Sequence, residues 1–208
     1  MKELVTIKNE NIDGFQEWIW PIQDTEAWSG PSTEWIRSHR DAYLAITNGR
    51  DTVVQAGGNC GMYPRLFSKY FNLVYTFEPD ALNFYCLANN CSSENIIKFN
   101  CAVGNTNSPV KVIKHYQHNV GCHTVSLGGT IPQLTIDQLN LSSCSLIQLD
   151  VEGFEIPVLQ GAWQTIQKYR PGIACEQLGN DNITSLLKPL GYKLIGIVVK
   201  DYLYSCEL

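Results

Sequence analysis

Asp51-Thr-Val-Val-Gln-Ala-Gly-Gly-Asn-Cys-Gly61, followed by Val74-Tyr-Thr-Phe-Glu-Pro-Asp80, is the stretch on which the fold turns. A β-branched run ends in a glycine-rich turn, a helix follows, and a second apolar run stops at Glu78. Glycines let a backbone turn sharply and come close to a ligand, with no Cβ in between. A helix that starts there points its unpaired N–H groups at the same place. An acid about twenty residues past the first glycine falls where a ribose hydroxyl pair needs an acceptor. The layout is that of a nucleotide-type cofactor site at the carboxyl edge of a parallel sheet. A tight structural turn and a helix-capping acid would explain the same residues separately.

Outward from this stretch, strand-like and helix-like segments alternate. Strands are expected at 52–56, 73–77, 96–100, 145–150, 171–176, 192–199 and 202–206, and helices at 62–71, 80–91, 155–168 and 181–189. Such alternation predicts parallel strands with crossover helices, an open α/β sheet. The last two strands are joined too tightly for a crossover, so they should form an antiparallel hairpin. Between about 104 and 135 the pattern breaks. Short strands at Val110–Lys114 and Thr124–Leu127 flank a polar stretch with His115, His118 and His123.

The first 48 residues read differently and hold Trp18, Trp20, Trp28 and Trp35. The piece from Phe15 to Pro31 looks turn-rich, and Ser32 to Ile46 reads as a capped helix. We therefore expect an N-terminal extension over residues 1–48, a candidate lid, and one α/β domain over 49–208. Flat aromatic faces suit sugar rings, although these tryptophans would serve equally to pack the extension onto the domain.

Bulk properties narrow the classes. The chain has 208 residues, 44% of them hydrophobic, and a formal net charge of −5 with no basic cluster. That disfavours nucleic acid as a partner. No run reaches membrane-spanning length and the first residues lack an apolar signal core, which predicts a soluble cytoplasmic protein. The eight cysteines include no Cys-x-x-Cys. They read as small buried hydrophobes rather than disulfides or a zinc site.

A second constellation is Leu146-Ile-Gln-Leu-Asp-Val-Glu-Gly-Phe-Glu155. An apolar strand ends at Asp150, with Glu152 just after it, and the strand Gly172-Ile-Ala-Cys-Glu176 also ends in an acid. Acids converging at strand ends can share a raised pKa for base work, or hold Mg²⁺ or Ca²⁺ through oxygen. Glu155 reads better as a helix cap. A histidine of the insert would serve as a base near neutral pH, although loop histidines are usually solvated.

Together these pieces resemble the FkbM family of S-adenosylmethionine-dependent methyltransferases. The matching elements run from Val53 to Gly61, Thr76 to Pro79, Asn100 to Gly104, Leu134 to Leu139, Ile147 to Ala162 and Arg170 to Glu176, in the family's order. The resemblance implies a Rossmann-like class I methyltransferase fold: a seven-stranded, mostly parallel sheet with its last strand antiparallel. It implies O-methylation of a hydroxyl on a sugar, glycan or other small natural product. By position, Gln55, Gly57, Gly58, Asn59 and Gly61 would surround the methionine part of S-adenosylmethionine. Glu78 and Pro79 would hold the ribose, and Asn100, Cys101, Ala102 and Val103 would flank the adenine. Asp150 and Glu152 would lie where methyl donor and acceptor meet, with Glu176 or His123 as proton acceptor. A divalent metal, Mg²⁺, would sit on Asp150 and Glu176 if one is used.

Two positions depart from the family pattern. Gln55 stands where an acid is usual, and Gln148 where lysine is frequent. Two consequences stay open, a matched change that keeps the local charge balanced and weakened catalysis. The competing readings are a non-catalytic binding module on the same fold, an NAD-dependent oxidoreductase and a nucleic-acid methyltransferase. The absence of G-x-G-x-x-G and the terminal hairpin oppose the second. The charge and the lack of an Asn-Pro-Pro-Tyr-type element oppose the third.

Overall fold

The computed structural model describes residues 4–12, 14–25, 33–176 and 182–206. Along the chain, β1 (Leu4–Ile12) and β2 (Phe15–Pro21) precede α1 (Thr33–Ile46), β3 (Thr52–Ala56), α2 (Met62–Phe67), β4 (Leu73–Phe77), α3 (Ala81–Asn90) and β5 (Ile96–Phe99). The insert holds β6 (Ala102–Val103), β7 (Val110–Lys114), β8 (His123–Leu127) and β9 (Gln133–Leu134). Then come β10 (Leu146–Leu149), α4 (Glu155–Gln160), α5 (Trp163–Tyr169), β11 (Gly172–Glu176), α6 (Ile183–Leu187), β12 (Tyr192–Val198) and β13 (Asp201–Cys206).

Seven strands form the main sheet in the order β12-β13-β11-β10-β3-β4-β5. From β11 to β5 every pairing is parallel. The final strand β13 slots between β11 and β12 and runs antiparallel to both. The expected mixed sheet and terminal hairpin are therefore present.

The centre of the sheet follows from its sequence. Every residue of β3 and β10 is buried, as a strand covered on both faces requires. Alternate side chains feed two cores. Val54, Ile147 and Ile173 face the layer containing Val158, Leu159 and Ile166. Val53, Leu146 and Ala174 face Tyr43 and Phe67 on the other side. Each such aliphatic side chain contributes about 1.5–3 kcal/mol when fully buried.

Several boundaries differ from expectation. The stretch from Phe15, read as turn-rich, is a strand up to Pro21 and pairs antiparallel with β1, setting Val5 against Trp20 and Ile7 against Trp18. The aromatic and β-branched residues gain across the strand pair what they lack locally. Trp28 and the side chain of Trp35 lie outside the described residues, as does the expected start of the helix at 181. The helix expected over 155–168 breaks at Gly161, where a Cβ would lie 1.9 Å from the Gly104 carbonyl oxygen. The backbone there is committed to a neighbour, since Gly161 O accepts the Asp137 N–H at 2.9 Å. Helix α2 stops at Phe67, short of the expected 71. All eight cysteines are free and six are buried, as predicted.

The N-terminal hairpin is bound to the sheet's helices by polar contacts as well as by Trp18 and Trp20, both buried. The Asn90 side chain at the end of α3 accepts from Ile19 N at 2.7 Å and donates to Ile19 O at 2.8 Å. The same amide nitrogen donates to Cys60 O, inside the glycine turn, at 2.7 Å. Arg65 of α2 donates to Glu17 O and lies 4.4 Å over the Trp18 ring.

Candidate active site

The parallel strands end at one edge, and a cleft of about 480 Å³ opens there. Gly57, Gly58, Asn59, Glu78 and Pro79 line it, as do Asp150, Glu152 and Glu176.

The glycine turn has a structural reason for its composition. Gly57 has φ +76, and a Cβ there would lie 1.7 Å from the Asp150 carbonyl oxygen. A Cβ on Gly58 would lie 2.4 Å from Leu87 Cδ1. The glycines thus let the ends of β3 and β10 and helix α3 close together, which shapes the cleft floor. Gly61, at φ +95, sits under Cys91 and Leu87 and does not line the cleft.

Glu78 is 5% exposed and both its oxygens are engaged. It accepts from Asn59 N at 2.7 Å and from Asp80 N at 2.8 Å. Burial raises its pKa to about 7, against the pull of these two backbone hydrogen bonds. Asp80 then caps α3, accepting from Leu82 N and Asn83 N. Burial opposes the ionisation of Asp80, but His123 and Lys114 outweigh it and hold the carboxyl well below the usual range. Cys101, Ala102 and Val103 line the cleft beside Glu78. Asn100 does not line it; its amide donates to Glu78 O at 2.8 Å and braces the turn from outside.

Gln55 is also turned away from the cleft. Its amide is buried, donates to Gly57 O at 2.8 Å and accepts from Thr76 Oγ1 at 2.6 Å. Its sheet neighbour Gln148 is fully buried with neither amide atom hydrogen-bonded.

The three acids converge. One carboxylate oxygen each from Asp150, Glu152 and Glu176 can be chosen so that all lie within 4.8 Å of one another. Asp150 is pushed well above the usual carboxylate range, first by burial and then by the charges of Glu176, Asp201 and Glu152. Glu152 is raised to about 7 by burial and by Glu176. Its φ of +53 is rare for a non-glycine residue and places it beside Gly153 in a tight turn. Three hard oxygen donors are the set that Mg²⁺ or Ca²⁺ takes. Glu155 does what the capping reading predicts, accepting from Val151 N and Gly153 N.

Some participants escaped the sequence reading. Lys200 lies 3.6 Å from Glu176. Asp201, paired with Glu176 in the sheet, is raised to about 7 by burial although Tyr43 donates a hydrogen bond to it. Only sheet register brings these residues to the acids. Asp24 is another: it accepts from Trp20 Nε1 at 2.7 Å and from Val120 N at 3.0 Å, joining the segment at the end of β2 to the insert at the cleft wall. Asn83 holds Val120 O at 3.0 Å and Thr25 N donates to His118 O at 3.0 Å. His123 lines the cleft, with Nδ1 3.5 Å from Asp80 Oδ2 at the helix cap. His115 is bonded to Thr124 at the surface.

This sheet order, with a glycine turn after the first parallel strand and acids after the second and fourth, is the class I methyltransferase fold. Similarity to known proteins agrees. A family model described as the methyltransferase FkbM domain matches residues 128–194, a span that includes Asp150, Glu152 and Glu176. The chain is similar to the crystal structure of methyltransferase FkbM from Methylobacillus flagellatus KT, with TM-score 0.56 and 18% identity over 75% of this chain. It spans 43% of that relative's length. It is also similar to precorrin 8w decarboxylase from Methanobacterium thermoautotrophicum, with TM-score 0.51, 10% identity and coverage of 89% and 97% of the two chains. A third is precorrin-6y C5,15-methyltransferase from Geobacter metallireducens GS-15, with TM-score 0.50, 11% identity and coverage of 84% and 92%. No curated protein matches the chain in sequence. Residues 128–194 thus match the FkbM domain model, and the chain as a whole has the class I methyltransferase fold. Among the described residues, no helix is long and apolar enough to cross a membrane.

Proposed function

We propose that the protein is an S-adenosylmethionine-dependent methyltransferase that methylates a hydroxyl of a sugar, glycan or other small natural product. The observation that carries this reading is the shared cleft. The glycine turn and Glu78 line it together with three convergent acids. Bound S-adenosylmethionine would supply an electrophilic methyl on a sulfonium. Glu78 would take the ribose hydroxyls, and Cys101, Ala102 and Val103 would flank the adenine. With Gln55 committed to Thr76 and Gly57, Asp150 is the acid left to answer the methionine ammonium.

The acceptor hydroxyl would lie among the acids. As its oxygen forms a bond to the methyl carbon and the carbon–sulfur bond breaks, its proton passes to Glu152 or Glu176. Glu152, with a pKa near 7, suits that role at neutral pH. A Mg²⁺ on Asp150 and Glu176 would act instead by lowering the hydroxyl's pKa. His123 would steady Asp80 and the cofactor end. The N-terminal hairpin would serve as a lid tied down through Trp20 and Asp24, whereas α1 belongs to the core of the domain. A binding-only role draws its support from Gln55, whose amide is committed to Gly57 O and Thr76 Oγ1 inside the strand layer.

Calorimetry with S-adenosylmethionine tests the reading directly. Binding in the micromolar range is expected, and no heat at millimolar cofactor sinks it. Asp150→Asn should abolish turnover; an Asp150→Asn enzyme as fast as wild type removes Asp150 from the mechanism.

A further inference from the structure

Helix α3 opens with Ala81-Leu-Asn83, just past Glu78. Asn83 is 2% exposed and lines the cleft. Its amide nitrogen donates to Val120 O at 3.0 Å. Its Oδ1 is buried and accepts no hydrogen bond. The amide cannot simply turn over, because Oδ1 would then face the Val120 carbonyl oxygen. A buried acceptor without a donor is costly, and one held so at a cleft wall points to a ligand that donates.

A closed ring of contacts ties Asn83 to the Glu78 carboxyl. Glu78 accepts from Asp80 N at 2.8 Å, and Asp80 accepts from Asn83 N at 3.1 Å. On the other side Glu78 accepts from Asn59 N at 2.7 Å, and a Cβ on Gly121 would lie 3.6 Å from Asn59 Nδ2. Gly121 follows Val120, whose carbonyl returns the path to Asn83. The ring presents acceptors. Each Glu78 oxygen keeps a lone pair beyond its one backbone donor. Asn59 Oδ1 is buried with no donor as well. The nearby cationic side chain Lys114 is engaged outside this set, 2.8 Å from Asp80 Oδ2. A carboxyl after β4 and an amide on α3 are two acceptors on separate elements, which suits a vicinal pair of hydroxyls.

We propose that Asn83 is a second anchor for the cofactor's ribose, its Oδ1 accepting one hydroxyl of the pair while Glu78 takes the other. The bond to Val120 O aims that acceptor, so the insert takes part in positioning the cofactor. The proposal rests on the methyltransferase reading above and adds to it a residue that selects ribose over deoxyribose.

The test is calorimetry on the full chain with S-adenosylhomocysteine, its 2′-deoxy and 3′-deoxy analogues, and S-inosylhomocysteine. Wild type should bind each deoxy analogue at least about fivefold more weakly than S-adenosylhomocysteine, because a missing hydroxyl strands a buried acceptor. Asn83→Ala should lose the discrimination against one deoxy analogue and keep it against the other. Asn83→Asp should keep both, since a carboxylate accepts where the amide oxygen did although it cannot donate to Val120 O. The proposal is overturned if Asn83→Ala discriminates as wild type does, or weakens every ligand by the same factor. It is equally overturned if Asn83→Asp loses the same discrimination as Asn83→Ala, which would leave the brace on Val120 as the residue's whole role. A change confined to the preference over S-inosylhomocysteine would assign Oδ1 to the adenine amine and also overturn it. Should Asn83→Ala fail to fold, the side-chain amide resonances of Asn83 in wild type decide. They should move alike with S-adenosylhomocysteine and one deoxy analogue but not with the other; equal movement with both refutes the assignment. Failure of wild type to bind S-adenosylhomocysteine at all would instead strike at the underlying methyltransferase reading.

Discussion

Glu78→Gln separates what the carboxyl does for the fold from what it does for a ligand. The side chain is almost fully buried and bonded to Asn59 N and Asp80 N. Burial lifts its pKa from the ordinary 4.5 to about 7. An acid whose pKa is raised by folding stabilises the fold fully below its unfolded value, and that contribution is lost as pH climbs through the native value. A displacement of roughly two and a half pH units, at about 1.4 kcal/mol each, amounts to about 3 kcal/mol. Glutamine does not titrate. The unfolding free energy of wild type should therefore fall by about 3 kcal/mol relative to Glu78→Gln between about pH 4.5 and about pH 8. Other groups titrate in both proteins and cancel in the difference. Urea unfolding at a series of pH values, with equal m-values required of both proteins, measures it. A difference that stays constant across the range would show that Glu78 is solvated and would refute the argument. The ligand side has its own signature. A diol that donates to the ionised carboxylate should make S-adenosylmethionine affinity rise with pH through about 7 in wild type, and stay flat in the variant.

Other expectations are more direct. Gly57→Ala puts a Cβ 1.7 Å from the Asp150 carbonyl oxygen at an unfavourable φ, so it should destabilise by more than about 3 kcal/mol or give insoluble protein; a soluble variant with unchanged Tm would deny the close approach of β3 and β10. In Glu152→Gln the rise of turnover through about pH 7 should disappear, because the acid raised to that value is removed; a pH–rate profile that keeps its limb shifts the proton acceptor to Glu176. Tyr43→Phe takes a hydrogen bond from buried Asp201 and should cost about 1–3 kcal/mol, with the penalty growing as pH rises and Asp201 ionises. Chemical denaturation at two pH values checks it.

The sheet was legible because its strands announce themselves. The run Leu146-Ile-Gln-Leu149 ends at an acid, and β3 ends at a glycine pair, as strands feeding a ligand edge do. The terminal hairpin was legible from the short gap between the strands expected at 192–199 and 202–206; the turn itself falls one residue earlier, at Val199-Lys200. The N-terminal hairpin was not, since Phe15-Gln-Glu-Trp-Ile-Trp lacks clean alternation and draws its order from β1 and α3. Sequence position placed Gln55, Gly61 and Asn100 around a ligand, whereas each turns to support the turn or the strand layer. A residue's distance from a motif fixes its place on a strand but not the direction in which neighbouring donors pull its amide. Asp201 and Lys200 reach the acids only through pairing across β11 and β13, a relation no local pattern carries.

The Asn90 amide spans three pieces of chain, and its reach has a kinetic meaning. One side chain holds β2 through both polar groups of Ile19, and the same nitrogen holds the carbonyl of Cys60. When β2 lifts from α3, the amide loses both of its Ile19 partners, and its bond to Cys60 O is expected to loosen with them. Opening of the hairpin and loosening of the turn are then expected to be coupled as one foldon. The amide proton of Gly61, which is bonded to Gly58 O within this turn, would exchange with solvent at the rate set by a strand some forty residues upstream. The residues that would cradle a cofactor thus breathe in step with the far end of the chain.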